Sequence, residues 1–139
     1  MPDYTEAKRW IRLAQRDDNV ATHLYDTLIP MPVETICFHC QQAVEKALKA
    51  ILAYHEEDVP KTHNIRILAE LCKTHSTKVY LDDKVVDTIT AFAVVTRYAD
   101  DNRDFTEDTA KFALRQAKQT VKNVVEALEQ AELEQEEKA

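Results

Sequence analysis

Apolar residues recur along the chain at the spacing of an α-helix. The clearest case is the stretch from about 33 to 54. When its residues are placed about 100° apart, the apolar side chains fall within one arc of about 100°, the width of a core-facing stripe. That stripe comprises Cys37, Cys40, Val44, Ala47, Leu48 and Ile51. The opposite, polar side carries Gln42, Glu45 and Lys49, with Phe38 projecting among them. The pattern predicts an amphipathic helix, with Phe38 as the candidate for a second contact surface.

Two further helices are predicted on either side of this stretch. The first runs from about 4 to 28, with Asp3 at capping-box spacing from Glu6, and it ends before Pro30 and Pro32 because proline excludes its preceding residue from the α region. A short helix over about 64–74 begins at Thr62 or Asn64, whose side chains can accept from free backbone N–H groups.

Residues 83–98 favour two structures at once. They are rich in valine, isoleucine and threonine, which suit a strand. Their apolar positions nevertheless share one helical face, and the segment is long for a strand, so a fourth helix is predicted. Thr106 begins a fifth helix. Its end, residues 129–139, is mostly Glu, Gln, Lys and Ala and is expected to fray.

Glycine is absent from all 139 residues. Average usage is about 7%, and a chain without glycine has difficulty making tight hairpins or left-handed turns. It also has no glycine-rich loop that could hold a nucleotide's phosphates. The fold class predicted is therefore all-α, a five-helix up-and-down bundle over residues 1–130 with a charged C-terminal tail over 131–139.

Charge and apolar content limit the partners and the compartment that we expect for this protein. The net charge of −7 argues against indiscriminate nucleic-acid binding, although a local basic patch stays open. No apolar run approaches the roughly 20 residues of a membrane span, and the N-terminus lacks the pattern of a signal peptide. Three cysteines, two of them on a core stripe, suit a reducing compartment. We expect a cytoplasmic protein without membrane contact.

Two segments have the spacing of metal ligands. Cys37 and Cys40 form a Cys-x-x-Cys pair, but zinc needs four ligands and Cys72 is the only further cysteine, so small buried hydrophobes account for them better. The alternating polar residues from 100 to 108 resemble a calcium loop, which requires Gly sixth and Glu twelfth, where this chain has Phe105 and Lys111. We predict no metal and no cofactor.

Three segments carry a family resemblance. Phe38–Ala50 resembles the signature helix of HEPN domains (higher eukaryote and prokaryote nucleotide-binding). Pro60–Ile65 resembles the family's Pro-x-Thr-His-Asp-Leu entry to its third helix, and Arg97-Tyr98 resembles its Arg-Tyr-Pro, with Ala99 in place of the proline. The likeness covers about residues 4–128 and implies an HEPN-like helical bundle that forms a homodimer.

The resemblance also implies a site. Catalytic HEPN domains are metal-independent ribonucleases in which an Arg, and a His separated from it by four to six residues, meet at the dimer cleft. Counted from Arg97, the histidine positions hold Asn102, Arg103 and Asp104, so the ribonuclease motif is not matched. Candidates for binding a nucleotide or phosphate are Arg97, Arg103, His63 and His39, with Phe38 as the dimer-interface candidate. Ordinary structural roles stay open for three of these residues. Arg97 could form an ion pair with Asp100, His63 could belong to a capping turn, and His39 could lie beside the core with its ring hydrogen-bonded.

Three functions are compatible with the sequence and its family resemblance. The first is a non-catalytic module that binds nucleotide or RNA in a homodimer cleft and pairs with a minimal nucleotidyltransferase. The second is a ribonuclease toxin of a toxin–antitoxin pair with a diverged site that uses His63 or His39, and the third is a pure assembly module. The family often carries an acid in the middle of the first helix, so Asp17 or Asp18 is a further cleft candidate, beside the expectation that both are solvated.

Overall fold

Five α-helices, close to the predicted boundaries, make up the described part of the chain. The computed structural model describes residues 2–55, 57–76, 79–97 and 105–138, with backbone alone for 93–97. No strand occurs in these residues, so the prediction of an all-α bundle is confirmed, including a helix at the β-branched fourth segment. The helices are α1 (Tyr4–Thr27), α2 (Val33–Tyr54), α3 (Ile65–Lys73), α4 (Asp83–Arg97) and α5 (Glu107–Lys138).

Side-chain caps begin four of these helices. Those of α1, α3 and α5 are predicted by the sequence, and the fourth is Asp82, which accepts from the Val85 N–H of α4 at 2.9 Å. The first backbone N–H groups of a helix have no partner within it, and a side-chain oxygen can accept from them. The Asp3 carboxylate accepts from the Glu6 N–H at 3.0 Å. Asn64 does the same for α3 at 3.2 Å and Thr106 for α5 at 3.4 Å.

The central helix is α2, which contacts each of the other four helices. Its neighbour α1 presents Ala7, Ala14 and Ala21 at seven-residue spacing, all fully buried, and these small side chains allow a close approach. Because helices surround α2, its polar side is not free. Glu45 and Lys49 were expected on an exposed polar side, but only 2% and 5% of their surface is accessible, so that expectation is wrong.

Two contacts show which helix ends lie together. The ring of Phe92 in α4 packs on Phe105, just before α5, with centroids 5.7 Å apart. Tyr25, near the end of α1, donates its hydroxyl to Glu107 at 3.5 Å. The C-terminal end of α4, the start of α5 and the end of α1 therefore share one end of the bundle, and α2 starts at that end after a short connection.

The last turns of α5 are helical, whereas the sequence predicted that they fray. The helix continues to Lys138, and it stays attached to the bundle through the buried Leu128 and a hydrogen bond of 3.1 Å from the Tyr54 hydroxyl to Glu132. Glu, Gln, Lys and Ala are strong helix formers, which explains why the segment extends the helix. Among the described helices, none combines the length and apolar character that crossing a membrane requires.

Candidate functional site

A buried carboxylate joins α1 to α2. Asp17 lies three residues after Ala14 and four before Ala21, so it falls on the α1 face that packs against α2. It is 8% exposed, which contradicts the expectation that Asp17 and Asp18 are both solvated. Asp18 faces α5 instead and accepts from Lys118 at 3.2 Å.

Two residues of α2 satisfy this carboxylate. The His39 ring donates from Nδ1 to Asp17 at 2.9 Å, and the Lys46 ammonium donates to its other oxygen at 2.5 Å. The two donors are seven residues apart, two turns on one side of α2, so they flank the carboxylate. The expectation that His39 lies beside the core with a hydrogen-bonded ring is confirmed, whereas its role in binding is not tested by this contact.

A similar arrangement lies on the side of α2 that faces α3, where the buried carboxylate belongs to α2 itself. Glu45 accepts from His63 Nδ1 at 2.8 Å and from the Lys49 ammonium at 3.3 Å. The Lys49 nitrogen also lies 5.6 Å from the centre of the Trp10 ring, within the range of a cation–π contact. The buried acid and the buried cation compensate each other, and His63 joins the residues just before α3 to α2.

The two histidines share one chemical property. When Nδ1–H donates to a carboxylate, the other ring nitrogen, Nε2, holds the lone pair and can accept a proton or, once protonated, donate to an anion. The His63 side chain is 63% exposed, whereas that of His39 is 26% exposed. His39 also meets the edge of the half-buried Phe38 ring, with centroids 5.5 Å apart. His39 therefore combines an oriented ring with an aromatic neighbour.

The amide of Gln41 lies between these groups and α3. Its Nε2 donates to the carbonyl of His63 at 3.5 Å. Its Oε1 is buried and has no hydrogen-bond partner within the described ranges. Because buried polar atoms are nearly always paired, this oxygen marks a point that can accept a hydrogen bond.

The structure describes the remaining candidate residues only in part. Arg97 is the last residue of α4, but its side chain lies outside the described part of the chain, and so does the whole of Arg103. The pairing of Arg97 with Asp100 and most of the calcium-like stretch fall outside it as well. Phe38 is half-buried beside His39, and its interface role stays a prediction.

The cysteines lie in the core, as predicted. Burial raises the pKa of the Cys37 and Cys72 thiols to about 12 and raises that of Cys40 as well, so all three stay protonated at neutral pH. Cys72 donates to the Leu48 carbonyl, with sulfur and oxygen 3.3 Å apart. Within the described residues there is no group of three or more His, Cys, Asp or Glu that could hold a metal ion.

Sequence reasoning missed the residues that hold the histidines, because it placed Glu45 and Lys49 on solvent and Asp17 among hydrated acids. One signal was available: Asp17 keeps helical register with Ala14 and Ala21, which predicts a buried position. The partners of Asp17 are 22 and 29 residues away in the chain, which periodicity cannot reveal.

Fold and site together define an all-α bundle whose central helix holds two histidine–carboxylate pairs. The family model of the HEPN domain matches residues 7–131 of the 139-residue chain. The chain therefore belongs to the HEPN domain family, as its resemblance implies. No curated protein and no solved structure matches it.

Proposed function

We propose that the protein is a non-catalytic HEPN module that binds the phosphate of a nucleotide or RNA in a cleft between two copies. The observation that supports it is the Asp17–His39 pair beside Phe38. These residues lie in the second turn of α2, and α2 starts at the same end of the bundle where Arg97 ends α4. The proposal rests on this nearness of the start of α2 to the end of α4.

Each group has a separate task in this proposal. The Arg97 guanidinium holds a phosphate through two parallel N–H donors, as planar guanidinium groups do. His39, oriented by Asp17, presents Nε2 as a further donor when protonated. The half-buried Phe38 ring provides the surface against which a base or the second copy packs.

Catalysis is left out because the sequence after Arg97 supplies no suitable proton carrier. Metal-free RNA cleavage needs a group that accepts a proton near pH 7 beside the attacked phosphate, and histidine suits this with an unperturbed pKa of about 6.5. Asn102 does not titrate in this range, Arg103 stays protonated, and Asp104 is ionised unless its pKa is strongly raised.

A minimal nucleotidyltransferase is the proposed protein partner, and the cytoplasm is the proposed compartment. Family membership supports the partner, and three unpaired, buried thiols suit a reducing environment. Co-expression with a minimal nucleotidyltransferase tests the pairing: one joint peak in gel filtration supports it, and two separate peaks contradict it.

A binding titration tests the phosphate site. ATP and a short fluorescein-labelled oligoribonucleotide are titrated into the intact protein and into Arg97→Ala. Loss of a charge-assisted hydrogen bond should weaken binding by about 1.5–3 kcal/mol, which is roughly 10- to 100-fold in Kd. Arg16→Ala is the matched control, because Arg16 is exposed on α1, and its Kd should not change. Equal affinity for Arg97→Ala and the parent would refute the cleft assignment and leave an assembly module.

A specific observation also favours the diverged ribonuclease. His39 has the orientation of a general base, with Nδ1 held by a buried carboxylate. If it acts as one, RNA is cut in EDTA and His39→Ala abolishes cutting. His63→Ala serves as the comparison, because His63 is also held by a carboxylate but lies on the other side of α2, toward α3.

A further inference from the structure

One side of α5 carries an exposed row of charged residues that changes sign along the helix. Exposed residues recur every three or four positions on the side turned away from the core, which is the spacing of one helical face. The first half of this row is basic: Lys111, Arg115, Lys118 and Lys122. The second half is acidic around one leucine: Glu126, Glu129, Leu133 and Glu136. We call these eight residues the α5 row.

Most of these charged residues form no ion pair with the described part of the chain. Lys118 pairs with Asp18, and Lys111 lies 4.0 Å from Glu107. For the other charged members no ion pair occurs within the residues that the structure describes; these are Arg115, Lys122, Glu126, Glu129 and Glu136. The row therefore presents unpaired cations in one half and unpaired anions in the other.

The basic half also borders an apolar groove. Tyr25 and Leu114, with the stems of the basic residues, line a shallow groove of about 410 Å³ between α1 and α5. The acidic half has the complementary feature, because Leu133 is 53% exposed on a helix face that is otherwise charged. One half thus has an apolar groove among cations, and the other an apolar side chain among anions.

We propose that the α5 row pairs with the α5 row of a second copy, antiparallel, about a two-fold axis that passes between Lys122 and Glu126. Such an axis places Lys122 opposite Glu126 of the second copy, Lys118 opposite Glu129, and Lys111 opposite Glu136. Arg115 then faces Leu133, which enters the groove beside Leu114. Each contact occurs twice, because a two-fold interface is made by the same surface on both copies.

Charge order selects this arrangement among the alternatives. A parallel pairing would set cations against cations in the first half and anions against anions in the second, which is unfavourable. A nucleic acid would meet only four cations, which lie between Lys111 and Lys122. This stretch is about 17 Å of helix at 1.5 Å per residue. It would then meet the acidic half, in a chain of net charge −7. A second copy satisfies both halves at once.

The pairing goes beyond the proposed cleft, because it uses none of its residues. It joins two chains, or two cleft dimers when both rows of one dimer pair with both rows of the other, and the mass doubles in either closed arrangement. Exposed ion pairs are individually weak and are screened by salt, so the association should be salt-sensitive.

Two triple charge reversals test the pairing by sedimentation velocity of the full chain at low and high salt. The basic-half variant carries Lys111→Glu, Arg115→Glu and Lys122→Glu, and the acidic-half variant carries Glu126→Lys, Glu129→Lys and Glu136→Lys. Lys118 is kept, because it also holds Asp18 and Thr22 of α1. The matched control reverses three exposed cations elsewhere: Arg12→Glu, Arg16→Glu and Lys61→Glu.

The parent should double its mass at low salt and lose that step at high salt. Each reversal should weaken the step by on the order of tenfold or more, while the control, with the same charge change as the basic-half variant, should not. An equimolar mixture of the two reversed variants should regain the step, because the basic row of one then meets the acidic row of the other. Circular dichroism verifies that all variants are folded.

Failure of the mixture to associate would overturn the pairing. If the basic-half variant loses affinity for the oligoribonucleotide while the parent shows no salt-dependent change of mass, the basic half is a nucleic-acid surface and the pairing is again wrong. The Arg97 titration is independent of both results, so a failed α5 pairing and a failed phosphate site can be told apart.

Discussion

The buried pair Glu45–Lys49 gives a sharp prediction about stability. Glu45→Gln keeps the size of the side chain but removes its charge, and it leaves the Lys49 ammonium buried, with only 5% of the residue exposed. Breaking a buried ion pair from one side costs about 3–5 kcal/mol, because the remaining charge is uncompensated. The Trp10 ring, 5.6 Å from the Lys49 nitrogen, offsets about 0.5–2 kcal/mol of this. We expect a net loss of about 2–4 kcal/mol in the free energy of unfolding, measured by urea denaturation.

The double variant Glu45→Gln/Lys49→Met isolates the cause. Methionine fills the space of the lysine stem without its charge, and replacing both members of a buried pair is often nearly neutral. We therefore expect the double variant to recover most of the loss. The control is Glu70→Gln, which removes the partner of Lys73 in an exposed pair with a nitrogen–oxygen distance of 2.9 Å, and it should leave the urea midpoint unchanged. The reasoning fails if Glu45→Gln is as stable as the control, or if the double variant is less stable than Glu45→Gln.

Three further predictions concern assembly, thiol reactivity and pH. At high salt, where α5 pairing is suppressed, light scattering should give about twice the 16.0 kDa chain mass, and Phe38→Ala should halve it; a monomeric parent would contradict the dimer. Because burial raises the pKa of Cys37 and Cys72 to about 12, iodoacetamide at pH 8 should alkylate the folded chain at least about a hundredfold more slowly than the chain in urea; equal rates would contradict it. Burial, and then the stacked His75 ring, lower the pKa of His55, so the unfolded chain binds this proton more readily. Stability should therefore fall as the pH drops below about 6.5, the unperturbed value, and His55→Gln should reduce that fall; an unchanged slope in the variant would contradict the assignment.

Much of the helical architecture could be predicted, because local patterns determine it. Apolar periodicity gave α2 from about 33 to 54, as observed. Side-chain chemistry gave Thr106 as the cap of α5 and Thr62 or Asn64 as the cap of α3, of which Asn64 is the observed one. The β-branched residues of α4 did not prevent a helix, since tertiary packing outweighs their weak local preference for a strand. The end of α5 was expected to fray although its residues are strong helix formers, and the hydrogen bond from Tyr54 to Glu132, 78 residues apart, could not be read from composition.

The site could be predicted only in part, for a physical reason. Sequence identified His39 and His63, but each is positioned by a carboxylate at least 18 residues away, and the helical wheel of α2 placed Glu45 and Lys49 opposite its apolar stripe. Glu45 and Lys49 are buried because α2 is enclosed by four helices, which is a property of the whole bundle. The register of Asp17 with Ala14 and Ala21 was the one local indication of a buried charge.

The central claim, binding without cleavage, is tested most directly by one incubation of labelled RNA with the intact protein in EDTA. Samples are divided between a native gel, which reports the complex, and a denaturing gel, which reports the length of the strand. We expect a shifted complex in which the RNA stays full length over hours, with the shift weakened in Arg97→Ala and unchanged in Arg16→Ala. Shortened RNA that disappears with His39→Ala or His63→Ala would contradict it and identify the protein as a ribonuclease.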